Sequence, residues 1–373
     1  MIDVALDRLT LWIFSLAYSI SISKNFDIEI SSCYSAGMKV LPMKLIAPCF
    51  SDVSALNKAA GDPLRLEVLR VLAQDSYGVL ELCEIFEHKQ SGMSHHLKVL
   101  AGAGLVAKRR EGNSIFYSRA LPSSTSGLAL LQQQLYTTID SIDVRAEITQ
   151  RLQEIQRERV KASQQFFILQ ADKFKAQQDL IAEYPAYGDA VAELLHKMTV
   201  LPSSKKGQVT ANGVAAIEIG PGAGEFLPEL AKRFDRVLAV DNAPTMLERS
   251  QAYCQQQGIE NVEFVSGDTS DLAGCKVKAA CVVMNMVLHH TPSPADIFID
   301  IARSLEDGGV LIVTDLCRHD QDWAKTACGD VWLGFDAEEL QRWALLAGLQ
   351  QGHSKYLALR NGFQIQVQQF KKM

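Results

Sequence analysis

The densest chemical signal in the chain is a glycine loop. Val214-Ala-Ala-Ile-Glu-Ile-Gly-Pro-Gly-Ala-Gly-Glu-Phe226 reads as a buried strand, Val214–Ile219, running into Gly220, Gly222 and Gly224 and then a helix, Phe226–Phe234. Alternating glycines at a strand end let a ligand touch backbone with no Cβ in between. A dinucleotide fingerprint needs a glycine where Glu225 stands, so the spacing is wrong for NAD. The next strand, Arg236–Asp241, ends on a carboxylate 21 residues after Gly220, where an acid can accept both hydroxyls of a ribose. A third strand, Val262–Val265, leads into Asp268, and a fourth, Ala279–Met284, into Asn285 and then His289-His290. Glu218, Asp241 and Asp268 thus fall at three successive strand ends. An imidazole at 289 or 290, with a pKa near neutrality, is a candidate proton acceptor.

A second constellation lies upstream. Gln90-Ser-Gly-Met-Ser-His-His-Leu-Lys98 reads as a helix with Met93, Leu97 and Leu100 on its apolar face. Lys89, Gln90, Ser91, Ser94, His95 and Lys98 fall largely off that face, and small polar and basic residues near a helix start suit a DNA major groove. Two strands follow, Leu105–Arg110 and Ser114–Arg119, around Glu111-Gly112-Asn113, a hairpin with turn chemistry. Between His88 and Arg119 there are six Lys or Arg against one acid, inside a chain of net charge -6. Such a local excess is the footprint of phosphate contact, with Arg109 and Arg110 as contacts on the hairpin.

The rest of the chain positions these two sets. At 373 residues it exceeds one ordinary core, and 47% hydrophobic with 21% charged residues is the composition of a globular protein, so two domains are expected. Asp62-Pro63 starts a helix, since Asp caps free amides and Pro suits the first turn. A second helix is marked by Val79, Leu80, Leu82, Ile85 and Phe86. Ser126–Met198 is nearly free of Gly and Pro and reads as long helices, with Leu128, Leu131, Leu135, Ile139 and Ile142 as a dimerisation stripe. From Gly213 onward β-like and helical runs alternate, the mark of an α/β sheet, entered through Pro202–Gly207. The expected organisation is an extension over 1–45, a DNA-binding domain over 52–122, a helical connector over 126–200 and the α/β domain over 201–373. The apolar run Leu9–Ile22 is too short for a comfortable membrane span and lacks a basic flank, so the extension reads as disordered or as preceding a true start at Met38 or Met43. The eight cysteines form no C-x-x-C pair, which argues for a reducing cytosol, and no metal site is expected.

At these residues two resemblances become specific. Gly61–Leu121, with "GDPLRLEVLRVL" and "SGMSHHLKVLAGAGLVAKRREGNSIFYS", resembles an ArsR/SmtB-family winged helix. Members that sense metals carry a Cys-x-Cys pair where this chain has Cys83 and Ile85, so metal sensing is not implied. In that family the helix after the wing builds a homodimer. Two recognition helices one DNA turn apart then imply an inverted-repeat operator. Phe166 to about Gln369 resembles a class I S-adenosylmethionine (SAM) methyltransferase of the ubiquinone-biosynthesis type. The carriers are the E-x-G-x-G-x-G run Glu218–Gly224, Asp241-Asn-Ala-Pro-Thr-Met-Leu247, Asn285-Met-Val-Leu-His-His290 and Leu305–Asp315. The resemblance implies that Glu218 supports the methionine end of SAM, that Asn242 and Met246 follow the ribose acid, that Asp268 faces the adenine amino group, and that Asn285 belongs to the site. The segment around Phe166, Phe167 and Phe174 resembles one that packs on the cofactor site and lids it.

The fold expected is thus an α/β multidomain: an N-terminal winged helix-turn-helix, a helical connector and a C-terminal Rossmann-like sheet. The function expected is a cytoplasmic, homodimeric, DNA-binding transcriptional regulator, away from any membrane. Its second domain would use SAM to methylate an unidentified small molecule, with His289, His290 and Asn285 as the candidate catalytic set. The alternative is a repressor whose silent methyltransferase fold senses SAM or S-adenosylhomocysteine.

Overall fold

The computed structural model describes residues 47–112, 114–123, 126–198, 216–274 and 278–373. The extension over 1–45, the loop Pro202–Gly207 and the start of the strand expected from Val214 lie outside these residues.

The first part is a winged helix. Helices α1 (Phe50–Ala60) and α2 (Pro63–Val71) are followed by the short strand β1 (Tyr77–Gly78), helices α3 (Val79–Ile85) and α4 (Gln90–Gly102), and the wing strands β2 (Val106–Glu111) and β3 (Ser114–Arg119). The Asp62 carboxylate accepts from the Arg65 amide at 3.0 Å, with Pro63 in the first turn, which fixes the start of α2. Met93, Leu97 and Leu100 of α4 are fully buried, so the polar face of that helix is turned outward. The three strands pair in the order β1-β3-β2, with Glu111 opposite Ser114 at the wing tip.

Helix α5 (Ala129–Asp140) closes this core, and its apolar stripe divides. Leu128, Leu135 and Ile139 pack inside the winged-helix core rather than waiting for a second subunit, while Leu131 and Ile142 stay exposed. Tyr136 fastens α5 by donating its hydroxyl to the Leu105 carbonyl at 3.0 Å. Helix α6 (Ala146–Ile181) then runs for 36 residues, about 54 Å at the α-helical rise. Its Ile148 and Ile155 belong to the winged-helix core, whereas Ile181 belongs to the core of the second part. The winged-helix core thus extends past residue 122. Helix α7 (Gly188–Lys197) likewise packs its Val191, Leu194 and Leu195 into the second core, because these residues fall on one apolar face.

The second part comprises β4 (Ala216–Ile219), α8 (Leu227–Arg233), β5 (Val237–Asp241), α9 (Pro244–Gln256), β6 (Val262–Ser266), α10 (Thr269–Gly274), β7 (Ala279–Asn285), α11 (Pro294–Ser304), β8 (Leu305–Leu316), α12 (Trp323–Cys328), α13 (Ala337–Leu346), β9 (Leu349–Ala358) and β10 (Gln364–Lys372). The seven strands lie in the order β6-β5-β4-β7-β8-β10-β9. The first five are parallel, and β10 is antiparallel to both its neighbours. Strand order reverses at β4, so the cleft outside the carboxyl ends of β4, β5 and β7 is where a doubly wound sheet takes its ligand. Apolar residues on both faces of β4, β5, β7 and β8 supply two core clusters, one on each side of the sheet. The architecture is therefore the expected α/β multidomain. Among the described residues, no helix is long and apolar enough to cross a membrane.

The wing is docked on the sheet domain. Glu111, 2% exposed, accepts from the Leu333 amide at 2.8 Å and pairs with Lys325 at 3.4 Å. Arg109, 6% exposed, pairs with Glu111, donates to the Gly334 carbonyl and reaches Glu339 at 2.9 Å. Phe116 of β3 meets Trp332 edge-on, with ring centroids 5.2 Å apart. Behind this dock, Arg159 of α6 donates to Glu81 twice (2.7 and 2.6 Å), to the Ser76 carbonyl at 3.0 Å and to the Pro292 carbonyl at 3.1 Å. One guanidinium thus ties α3, the turn before β1 and the loop after β7 together, over the rings of Tyr77, Phe116 and Trp332.

Arg159→Met should cost about 3–5 kcal/mol in a urea titration, because Asp75 and Glu81 lose the cation that compensates them in a largely buried site. Arg159→Lys should recover little of it, since an ammonium cannot reproduce the planar fork. Full stability in Arg159→Lys would contradict this role.

Candidate functional site

A cavity of about 410 Å³ opens where the sheet order reverses. Its floor is the loop after β4. Gly220, Gly222 and Gly224 all take positive φ (63°, 58° and 83°), a region that disfavours side chains. Their roles differ. A Cβ on Gly222 would meet nothing within 4 Å, so this is where a ligand can rest on backbone. A Cβ on Gly220 would strike Val287 at 2.5 Å, and one on Gly224 would meet the Ser250 backbone at 3.1 Å. Gly224 is not among the lining residues and lets the loop close on α9.

The three strand-end acids converge. Glu218 is buried at the end of β4, where Asn285 donates to its Oε1 at 3.4 Å. Its Oε2 and the Asn285 Oδ1 have no partner among the described residues. Burial raises the Glu218 carboxyl to about 8. Asp241 ends β5 and accepts from the Ala243 amide at 2.8 Å; burial raises it to about 6. Asp268 is exposed and accepts from the Ser270 amide at 2.8 Å, which caps the start of α10. Asn242 and Met246 line the same cavity, as do Asp268, Asn285 and His290.

His289 does not. It is 1% exposed, does not line the cavity, and its Nδ1 lies 2.8 Å from Asp315 Oδ1. Burial opposes its charge, but Asp315 and Asp330 more than offset that and raise it to about 9. Its backbone amide also donates to Asp315, at 3.2 Å, so it is a buried anchor of the turn after β7 and cannot touch an acceptor; this corrects its place in the catalytic set. His290 is held well below the usual imidazole range by burial and then by His289.

Sequence reasoning missed the far wall of the cavity. Ser163, Lys175, Gln178 and Asp179 of α6 line it, together with Tyr184 and Tyr187. The signal was present as Tyr184-Pro-Ala-Tyr-Gly188, where a Cβ on Gly188 would strike the Tyr184 ring at 2.6 Å. Lys175 pairs with Glu225 at 3.0 Å, tying α6 to the glycine loop. Phe166 packs against Ala243 and Met246, while the side chains of Phe167 and Phe174 lie outside the described residues.

On the winged helix, Lys89, Gln90, Ser91, Ser94, His95 and Lys98 are all exposed along α4, and Lys108 and Arg110 are exposed on the wing. Arg109 is not with them. Its β2 position alternates inward, and its guanidinium is consumed by Glu111, Gly334 and Glu339, so it is corrected from a phosphate contact to a docking residue.

The residues of the cavity fit SAM. The unpartnered oxygens of Glu218 and Asn285 suit an ammonium, Asp241 suits a ribose diol, and the acidic wall suits a cation. Binding a cation beside Glu218 should favour its carboxylate. SAM uptake at pH 7 should therefore release close to one proton, and affinity should fall as pH drops below about 8 and fall further through about 6 as Asp241 protonates. Calorimetry in buffers of different ionisation enthalpy reads the release; Glu218→Gln should remove it. Release that is unchanged in Glu218→Gln would refute the assignment.

Comparison with known proteins bears on both parts. Residues 62–108 match the family described as bacterial regulatory protein, arsR family, and residues 217–313 match the family described as methyltransferase domain. An HTH-type transcriptional regulator of Methanocaldococcus jannaschii is 38% identical over 71 residues, 18% of this chain and 78% of that protein. A carboxy-S-adenosyl-L-methionine synthase of Dichelobacter nodosus is 27% identical over 151 residues, 38% of this chain and 58% of that protein. A ubiquinone biosynthesis O-methyltransferase of Maricaulis maris is 25% identical over 128 residues, 34% of this chain and 50% of that protein. The chain thus spans between half and three fifths of the length of these two methyltransferase relatives. With an exposed recognition helix on a winged helix, and a glycine-floored cavity at the reversal point of a seven-stranded sheet, the chain belongs to the arsR family of regulatory proteins and carries a class I SAM-dependent methyltransferase domain behind its winged helix.

Proposed function

We propose that this chain is a cytoplasmic, homodimeric transcriptional regulator that binds double-stranded DNA at an inverted repeat and whose methyltransferase domain methylates a small molecule. The observation that carries this reading is α6. The same helix enters the winged-helix core at Ile148 and Ile155, lines the cofactor cavity at Ser163, Lys175 and Gln178, and enters the sheet domain's core at Ile181. A continuous helix between the cavity and the winged helix gives a change in the cavity a physical route to the DNA-binding part.

Support for a second subunit comes from the apolar side chains that α5 and its end leave outside. Leu130 is 86% exposed, Leu131 next to it is exposed as well, and Ile142 just past the end of α5 is exposed too.

The chemistry that SAM would supply here is an electrophilic methyl group, given up to an acceptor's lone pair with S-adenosylhomocysteine as the leaving group. The chain's contribution is alignment and exclusion of water. Glu218 and Asn285 would hold the amino-acid end, Asp241 the ribose and Asp268 the base, while α6, Tyr184 and Tyr187 close the wall.

DNA affinity should be steeply salt-dependent, and the wing residues should divide. Lys108→Ala with Arg110→Ala should weaken binding on all sequences and lower the slope of log affinity on log salt by about one per residue removed from each wing. Arg109→Ala should leave that slope unchanged, because Arg109 faces the sheet domain. Fluorescence anisotropy at several salt concentrations separates these; a lower slope in Arg109→Ala would contradict the docked wing.

A further inference from the structure

We propose that His289, His290 and Asp330 form a binding site for one divalent transition-metal ion of the zinc and cobalt class. This does not depend on the DNA-binding reading. One donor atom from each residue can be chosen so that all three lie within 4.8 Å of one another, and all three residues are buried. Asp330 Oδ1 lies 3.8 Å from His289 Nε2 and 3.7 Å from His290 Nδ1. Those spacings are too long for hydrogen bonds. They come within a few tenths of an ångström of the separation between two ligands that each sit about 2.1 Å from a metal.

A second observation points to a ligand. The Asp330 side chain is fully buried, and among the described residues neither of its oxygens has a hydrogen-bond partner. A buried carboxylate left so is costly, and the positive charges that act on it, His289 at 3.8 Å and Lys325, make no hydrogen bond to it. His289 can neutralise only one of its two carboxylate neighbours, and Asp315 already takes its Nδ1 at 2.8 Å. A divalent ion with neutral His289 and His290 balances Asp315 and Asp330 completely. A ligating histidine whose other nitrogen is held by a carboxylate is also the usual arrangement at such sites.

Two histidines and one carboxylate leave a coordination position open. His290 is the ligand that also lines the cofactor cavity. Its Nδ1 also lies 3.4 Å from the Gly329 carbonyl, a contact that metal ligation through this nitrogen would replace, and as a ligand His290 is not the proton acceptor that its sequence position suggested. The ion would also pin Gly329–Trp332 to the turn after β7, where the Val331 and Trp332 amides already donate to the His289 carbonyl at 2.9 and 3.0 Å. That segment carries Trp332, against which the wing packs.

The test is a Co²⁺ titration of the full chain after chelation, read by visible d–d absorption and by metal content. The expected result is one Co²⁺ per chain, without thiolate charge-transfer bands and displaced by Zn²⁺. Affinity should fall at least tenfold in Asp330→Asn and in His290→Gln, each shown folded by circular dichroism. If one variant fails to fold, the other carries the comparison. No stoichiometric metal, or binding that keeps its affinity in a folded variant, would overturn the proposal.

Discussion

A helix that buries its two ends in different cores removes the freedom those cores would otherwise have. Helix α6 does this over its 36 residues, with Ile148 and Ile155 in one core and Ile181 in the other. Everything between those anchors has to satisfy both bodies at once. Arg159 is the clearest consequence: its fork holds Glu81 and Ser76 on the winged-helix side and Pro292 on the cavity side. The cofactor cavity thus has one wall made of the element that also completes the DNA-binding domain.

The docked wing follows from the same geometry. Once α6 sets the two bodies side by side, the tip of the hairpin meets α12 and the loop after it, where Glu111 finds Lys325 and the Leu333 amide. The charge read from the sequence is real, but it is divided. Lys108 and Arg110 face water, while Arg109 alternates inward and is neutralised by the chain's own acids. A count of basic residues along a hairpin carries no information on that division, because Glu339 lies 230 residues from Arg109.

What was legible in the sequence was local. Asp62-Pro63, the apolar face of Met93, Leu97 and Leu100, and the strand–glycine–helix run from Ala216 all declare themselves within a dozen residues, and the structure follows them to within a residue or two. The strand-end acids were legible too, since a parallel sheet brings consecutive strand ends to one edge. What was not legible depended on distant partners. His289 looked like a proton acceptor until Asp315 and Asp330 were placed around it, and the stripe from Leu128 to Ile142 looked uniform until Leu135 and Ile139 turned inward. The far wall of the cavity was hidden because Ser163 and Gln178 are ordinary polar residues of a long helix.

If α6 makes the two sites parts of one equilibrium, then SAM and DNA must each change the other's affinity by the same factor. The most direct measurement is the DNA dissociation constant with and without saturating SAM, paired with the SAM constant with and without saturating DNA. The account predicts at least about a fivefold change, equal in both directions. Identical constants with and without the second ligand would contradict it and leave two modules that share a helix but no equilibrium.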